Sequence, residues 1–142
     1  MTTTIDWGLS YIAQSDPMSC WAASAAMLTG RTEADILQEF ADFGSDGASE
    51  PECQALASRL GLRVMPEACR TTDGWVQLLQ GGAVMVGIPG HFIVVSGIHV
   101  DDAGNAQVRV LDPARGDYWS VLETVEGGYE ADWEFGYDLL QR

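Results

Sequence analysis

The apolar positions follow a helical pattern early in the chain and an extended pattern later. Residues 20–29 read CWAASAAMLT and Gly30 follows. Alanine is the strongest helix former, and glycine is common just past a helix end. Trp21, Ala25 and Leu28 recur at helical spacing while nearly every face is apolar, which predicts a buried helix. Thr32 caps a second predicted helix, with Glu33 and Asp35 in its first turn and Ile36, Phe40 and Phe43 along one face. A third starts near Ser49-Glu50-Pro51-Glu52 and stops at Gly61; a short fourth follows Thr71-Thr72 and ends at Gly81-Gly82. Strands are predicted over Leu62–Met65 and Ala83–Ile88, then over His91–Val100 and Gln107–Leu111. The last two are rich in β-branched residues, and Asp101-Asp102-Ala103-Gly104 between them reads as a four-residue hairpin loop. Asp117–Leu122 and Trp133–Tyr137 are weaker strand signals. Helices first and antiparallel strands afterwards predict an α+β fold.

Length and composition narrow the function. The chain has 142 residues, read as one domain over 1–142 with a core of its own. Seven basic residues against 21 acidic ones give a net charge of −14. Nucleic-acid affinity rests on Lys and Arg at phosphates, and anionic lipid surfaces repel such a chain, so neither is an expected partner. The three cysteines, Cys20, Cys53 and Cys69, are too few for a disulfide-stapled domain. A Cys53–Cys69 bridge is open to the sequence but not required by it. The N-terminal Met-Thr-Thr-Thr-Ile-Asp-Trp lacks a basic and an apolar signal region. Synthesis in the cytoplasm without a signal peptide is expected, with export by a specialised secretion system left open. The run from Ala83 to Ile98 is broken by Pro89, His91 and glycines and is too short to span a bilayer.

Cys20 falls at the predicted start of the buried helix. A helix N-terminus favours the attacking thiolate through its unpaired N–H groups and dipole. A small buried hydrophobe is the commoner fate of a reduced cysteine, and position alone leaves both open. A nucleophilic cysteine needs a base, and the base an orienting group. Only two histidines exist; His91 opens a predicted strand and His99 closes it. At about 3.3 Å per residue they lie roughly 26 Å apart, so one site takes one of them. If Val100 faces Asn105 across the hairpin, Asp112 lies opposite Ile93, on the sheet face of His91, as its diagonal neighbour. A slip of one residue would put them on opposite faces. His99, beside Asp101 and Asp102, reads as a solvated loop residue. Asp112-Pro113 also reads as a turn start, which is compatible with a site role. Zinc spacing motifs, the Gly-x-Ser-x-Gly elbow and a phosphate-binding glycine loop are all missing from the sequence.

Three segments resemble the papain-like cysteine peptidases: Gln14-x5-Cys20-Trp21-Ala22-Ala23-Ser24, His91-Phe92-Ile93-Val94-Val95-Ser96-Gly97, and Val110-Leu111-Asp112-Pro113-Ala114-Arg115-Gly116. The resemblance is to the compact bacterial type, which includes bacteriocin-leader-processing domains and secreted effector peptidases. It implies a papain-like α+β fold, an N-terminal helical half packed on a C-terminal antiparallel sheet. It implies Cys20 as nucleophile, His91 as base, Asp112 as orienting acid and Gln14 as oxyanion donor, with no cofactor and no metal. A protein or peptide substrate, a cognate inhibitor or immunity protein, a monomeric state and a role as bacterial effector or toxin follow as expectations. The alternatives are deamidation, transamidation or peptidoglycan amide cleavage by the same triad, or a catalytically silent binding module. Trp21 is expected to fill core. Ser15-Asp16-Pro17-Met18-Ser19 stands where the family carries a Gly-rich run, and Asp112 where its larger members carry Asn.

Overall fold

The alanine-rich run folds as α1, Cys20–Thr29, with every residue from Cys20 to Leu28 buried. The computed structural model describes residues 2–43, 50–65, 71–88, 91–125 and 139–142. Gly30 ends α1 at φ 73°, a left-handed turn that costs glycine little, and its N–H bonds the Ala26 carbonyl. Thr32 caps α2, Glu33–Glu39, by accepting the Asp35 N–H. Phe40 is buried just beyond that helix, and Phe43 packs on the same cluster from outside it. The third helix, α3, spans Glu50–Leu60. Thr71 caps α4, Thr72–Gln80, through the Gly74 N–H.

Seven strands among the described residues form one antiparallel sheet. They are β1 Thr3–Asp6, β2 Arg63–Met65, β3 Val84–Ile88, β4 His91–Val100, β5 Ala106–Asp112, β6 Gly116–Val121 and β7 Leu139–Gln141. The order is β2-β7-β3-β4-β5-β6, with β1 also paired to β4. The helices-then-strands reading of the sequence therefore matches the architecture, but β1 and β7 were not among the expected elements. The expected strand at Trp133–Tyr137 lies outside the described residues.

Alternation along the strands splits the core into two layers. Met85, Phe92, Val94 and Leu111 pack with α1, α2 and α3 residues such as Trp21, Leu28, Ile36 and Leu56. Val84, Val86, Ile93, Val95 and Val110 pack with Trp75 and Leu79 of α4. The central strands are thus buried on both faces, which explains the near-continuous apolar run of β4.

The β4–β5 hairpin departs from its expected form. The loop covers residues 101–105, closed by the Asp101 N–H on the Asn105 carbonyl at 3.0 Å, and Val100 faces Ala106 instead of Asn105. That is the one-residue slip that would separate His91 from Asp112. A bulge between Val95 and Gly97 reverses it, so Val95 faces Val110 and Val94 faces Leu111. The Trp7 N–H takes the carbonyl of Ser96 in the bulge at 2.9 Å. Gly97 is required there, because a Cβ would stand 2.5 Å from the Ile5 carbonyl oxygen.

Candidate active site

Four segments meet at the end of the sheet: the loop before α1, the start of α1, the start of β4 and the turn after β5. The loop is stitched before it reaches the helix. The Ser19 N–H and hydroxyl both donate to the Asp16 carbonyl, at 3.1 and 2.9 Å. Glu33 of α2 accepts the Ser15 N–H at 3.0 Å and also the Ser15 hydroxyl. Where the papain-like peptidases carry a glycine-rich run, this chain has a turn held by side chains. They fix where Cys20 begins α1.

Cys20 is a free thiol, 5% exposed, and its side chain hydrogen-bonds His91. It is thus more enclosed than a reactive cysteine at an open helix tip. His91 Nε2 meets Asp112 Oδ1 at 2.6 Å. A carboxylate only accepts, so Nε2 carries the hydrogen, and Nδ1 is the ring nitrogen left to the sulfur. Asp112 is 3% exposed and also accepts the Ala114 N–H on Oδ1 at 2.9 Å. A buried carboxylate needs such partners, since an unpaired one would cost several kcal/mol. The predicted Asp112-Pro113 turn is present and supplies one of them; the Arg115 N–H closes it on the Asp112 carbonyl at 3.0 Å.

His91 holds its proton above the ordinary value of 6.5. The hydrogen bond to Cys20 is the largest cause, burial opposes it, and the bond and charge of Asp112 add to it. The arrangement can pass a proton between a sulfur and an imidazole whose far side is anchored.

Gln14 sits differently from a ready oxyanion donor. Its Nε2 donates to the Asp16 carbonyl at 3.0 Å and the Pro17 carbonyl at 3.2 Å. Both amide hydrogens are thereby engaged. Its Oε1 is buried without a hydrogen-bond partner among the described residues. Trp21 is buried in the core, with ring centroids 6.4 Å from Phe40 and 5.0 Å from Phe43. A recess of about 350 Å³ opens beside the start of α1, lined by Met18, Ser19, Trp21, Leu37, Phe40 and Phe43 among others.

His99 is not the loop residue expected. It lies within β4, opposite Thr4 of β1, and its Nδ1 is 2.7 Å from the Thr4 hydroxyl. The unforeseen strand β1 accounts for the difference. Cys53 is buried in α3. Cys69 lies outside the described residues, as does most of the acidic tail, Glu123–Asp138. No group of three His, Cys, Asp or Glu among the described residues is placed to hold a metal ion. Sequence reasoning missed Tyr11, whose hydroxyl donates to the Asp112 carbonyl at 2.7 Å. No period or motif marks it, because it lies in an irregular stretch.

Comparison with known proteins bears on the family and the fold. Residues 2–125 match the family described as papain-like cysteine protease AvrRpt2. The chain is similar in fold to a crystal structure of a double glycine motif protease from an AMS/PCAT transporter in complex with the leader peptide. That likeness has a TM-score of 0.63 at 21% identity, over 96% of this chain and 91% of the other. Ketoreductase sphI of Aspergillus fumigatus is 39% identical over 61 residues, 42% of this chain and 17% of that protein. So short a share of that protein carries none of its activity over.

Proposed function

The chain belongs to the family of papain-like cysteine proteases that it matches over residues 2–125, and from that premise we propose that it cleaves peptide bonds through a Cys20–His91–Asp112 triad. The observation that carries this reading is His91, bonded to the Cys20 side chain on one side and to a buried carboxylate at 2.6 Å on the other.

His91 Nδ1 takes the Cys20 proton as sulfur attacks the substrate carbonyl carbon. The imidazolium so formed is stabilised by Asp112. It then gives its proton to the departing amine, which leaves a thioester on Cys20. Water, deprotonated by His91, attacks the thioester; the new carboxylic acid departs and the thiol recovers its proton. The N-terminal N–H groups of α1 would face the oxyanion. Gln14 joins them only by exchanging a bond to Asp16 or Pro17 for one to substrate. The recess lined by Trp21, Leu37 and Phe40 suits a substrate side chain. An effector or toxin setting belongs to the same proposal.

Wild type and Cys20→Ala, incubated with a peptide library and peptidoglycan fragments and read by mass spectrometry, test the reaction. Peptide products seen only with wild type support it. Mass gains of 1 Da without chain cleavage would favour deamidation instead. Harm to a host cell from wild type but not from Cys20→Ala would support the effector role.

A further inference from the structure

The stretch between β1 and α1 grips the turn that carries Asp112. The Tyr11 hydroxyl donates to the Asp112 carbonyl at 2.7 Å, and the Gln14 N–H donates to the Pro113 carbonyl at 3.0 Å. Two consecutive carbonyls of one turn are thus held by one short segment. Six residues after Gln14 the same segment delivers Cys20. The same segment therefore links Cys20 along the chain to the support of the Asp112 carboxylate. Tyr11 also packs against the core cluster that contains Cys20 and Phe92.

We infer that Tyr11 is a positioning residue, which acts through the Asp112 main chain to set the carboxylate against His91 and does not touch the substrate. This rests on the triad proposed above. Within the turn, the Arg115 N–H meets the same carbonyl and the Ala114 N–H the carboxylate, while β5 and β6 pair at its base and His91 holds the carboxylate from β4. Tyr11 and Gln14 add two main-chain ties from the stretch before α1. Burial, followed by the nearby Asp112 and Asp117 charges, raises the Tyr11 pKa. The phenol therefore remains a donor across the neutral range. A shift of about 1 Å at a catalytic group can cost on the order of 100-fold in rate, so loss of one tether has a visible effect.

Tyr11→Phe keeps the ring and removes the donor. We expect kcat on a cleaved peptide to fall ~10-fold with KM within about twofold, as for a group acting on chemistry and not on binding. The His91 titration, followed by NMR, should move down toward its ordinary value, because Cys20 and Asp112 are the groups that raise it. A lower melting temperature with kcat and the His91 titration both unchanged would make Tyr11 merely structural and overturn the inference. Should Tyr11→Phe not fold, site-specific 3-fluorotyrosine keeps the ring and hydroxyl while altering donor strength. The His91 titration must then move, and a still one overturns the inference. The titration needs no turnover, so it reads Tyr11 even if wild type cleaves no peptide, a failure that would count against the proposed reaction alone.

Discussion

His91 and His99 stand at opposite ends of one strand, and their surroundings share almost nothing. His91 is bonded to a sulfur and to a buried carboxylate; His99 meets the hydroxyl of Thr4 on a neighbouring strand. Both are partly exposed residues of β4. The difference lies in what each end of the strand abuts. At the His91 end α1 and the turn after β5 converge, each bringing a group that can exchange or hold a proton. At the His99 end β1 has completed the ladder, and the ring closes one more cross-strand bond. In the proposed reaction the base is set by the two groups that bracket His91, not by its strand.

The comparison can be broken most forcefully at the rings themselves. His91→Ala should lower kcat/KM by about 10⁴-fold or more, while His99→Ala leaves it within about twofold. Equal losses in a peptide-cleavage assay would erase the distinction. Asp112→Asn keeps the shape but can present the wrong tautomer, and should cost about 10²–10⁴-fold in kcat at an unchanged fold. A milder probe is titration. Cys20→Ala removes the largest cause of the raised His91 pKa, so His91 should lose its proton at lower pH than in wild type. Stability linked to His91 protonation is full below 6.5 and declines as pH rises through the raised folded value. Melting curves of wild type against Cys20→Ala across that window should converge at alkaline pH. The smallest effect belongs to the other end: Thr4→Val should cost about 1 kcal/mol, read by denaturant unfolding, with kcat untouched.

Much of this was legible because it is local. Alanine content and Gly30 mark α1, and Thr32 and Thr71 mark their caps, since capping acts within one turn. Cys20, His91 and Asp112 could be singled out because few residue types carry this chemistry and the chain holds only two histidines. Strand β1 escaped because Thr3–Asp6 is short and half polar, and gains its order from β4 far along the chain. The three-residue β7 escaped for the same reason. The expected register at the loop was off by one, and the bulge at Ser96 restored it near the site. Neither departure could be read from a two-residue period, which carries no information on where the count slips. The Tyr11 hydroxyl and the Gln14 backbone N–H make tertiary contacts, invisible until the turn at Pro113 arrives beside them, and the side-chain amide of Gln14 is engaged by a local loop that has no period to read.

Helix α1 has no outward face: Ala22, Ala23, Ala25 and Ala26 are all at 0% exposure. Such an element cannot fray or swing while the rest stays intact, so its amides should exchange with solvent only when the whole domain opens. The sulfur at its head inherits that constraint. Sequence variation that keeps this fold is therefore expected in the loops and rims around the helix, while the helix itself stays closed to drift.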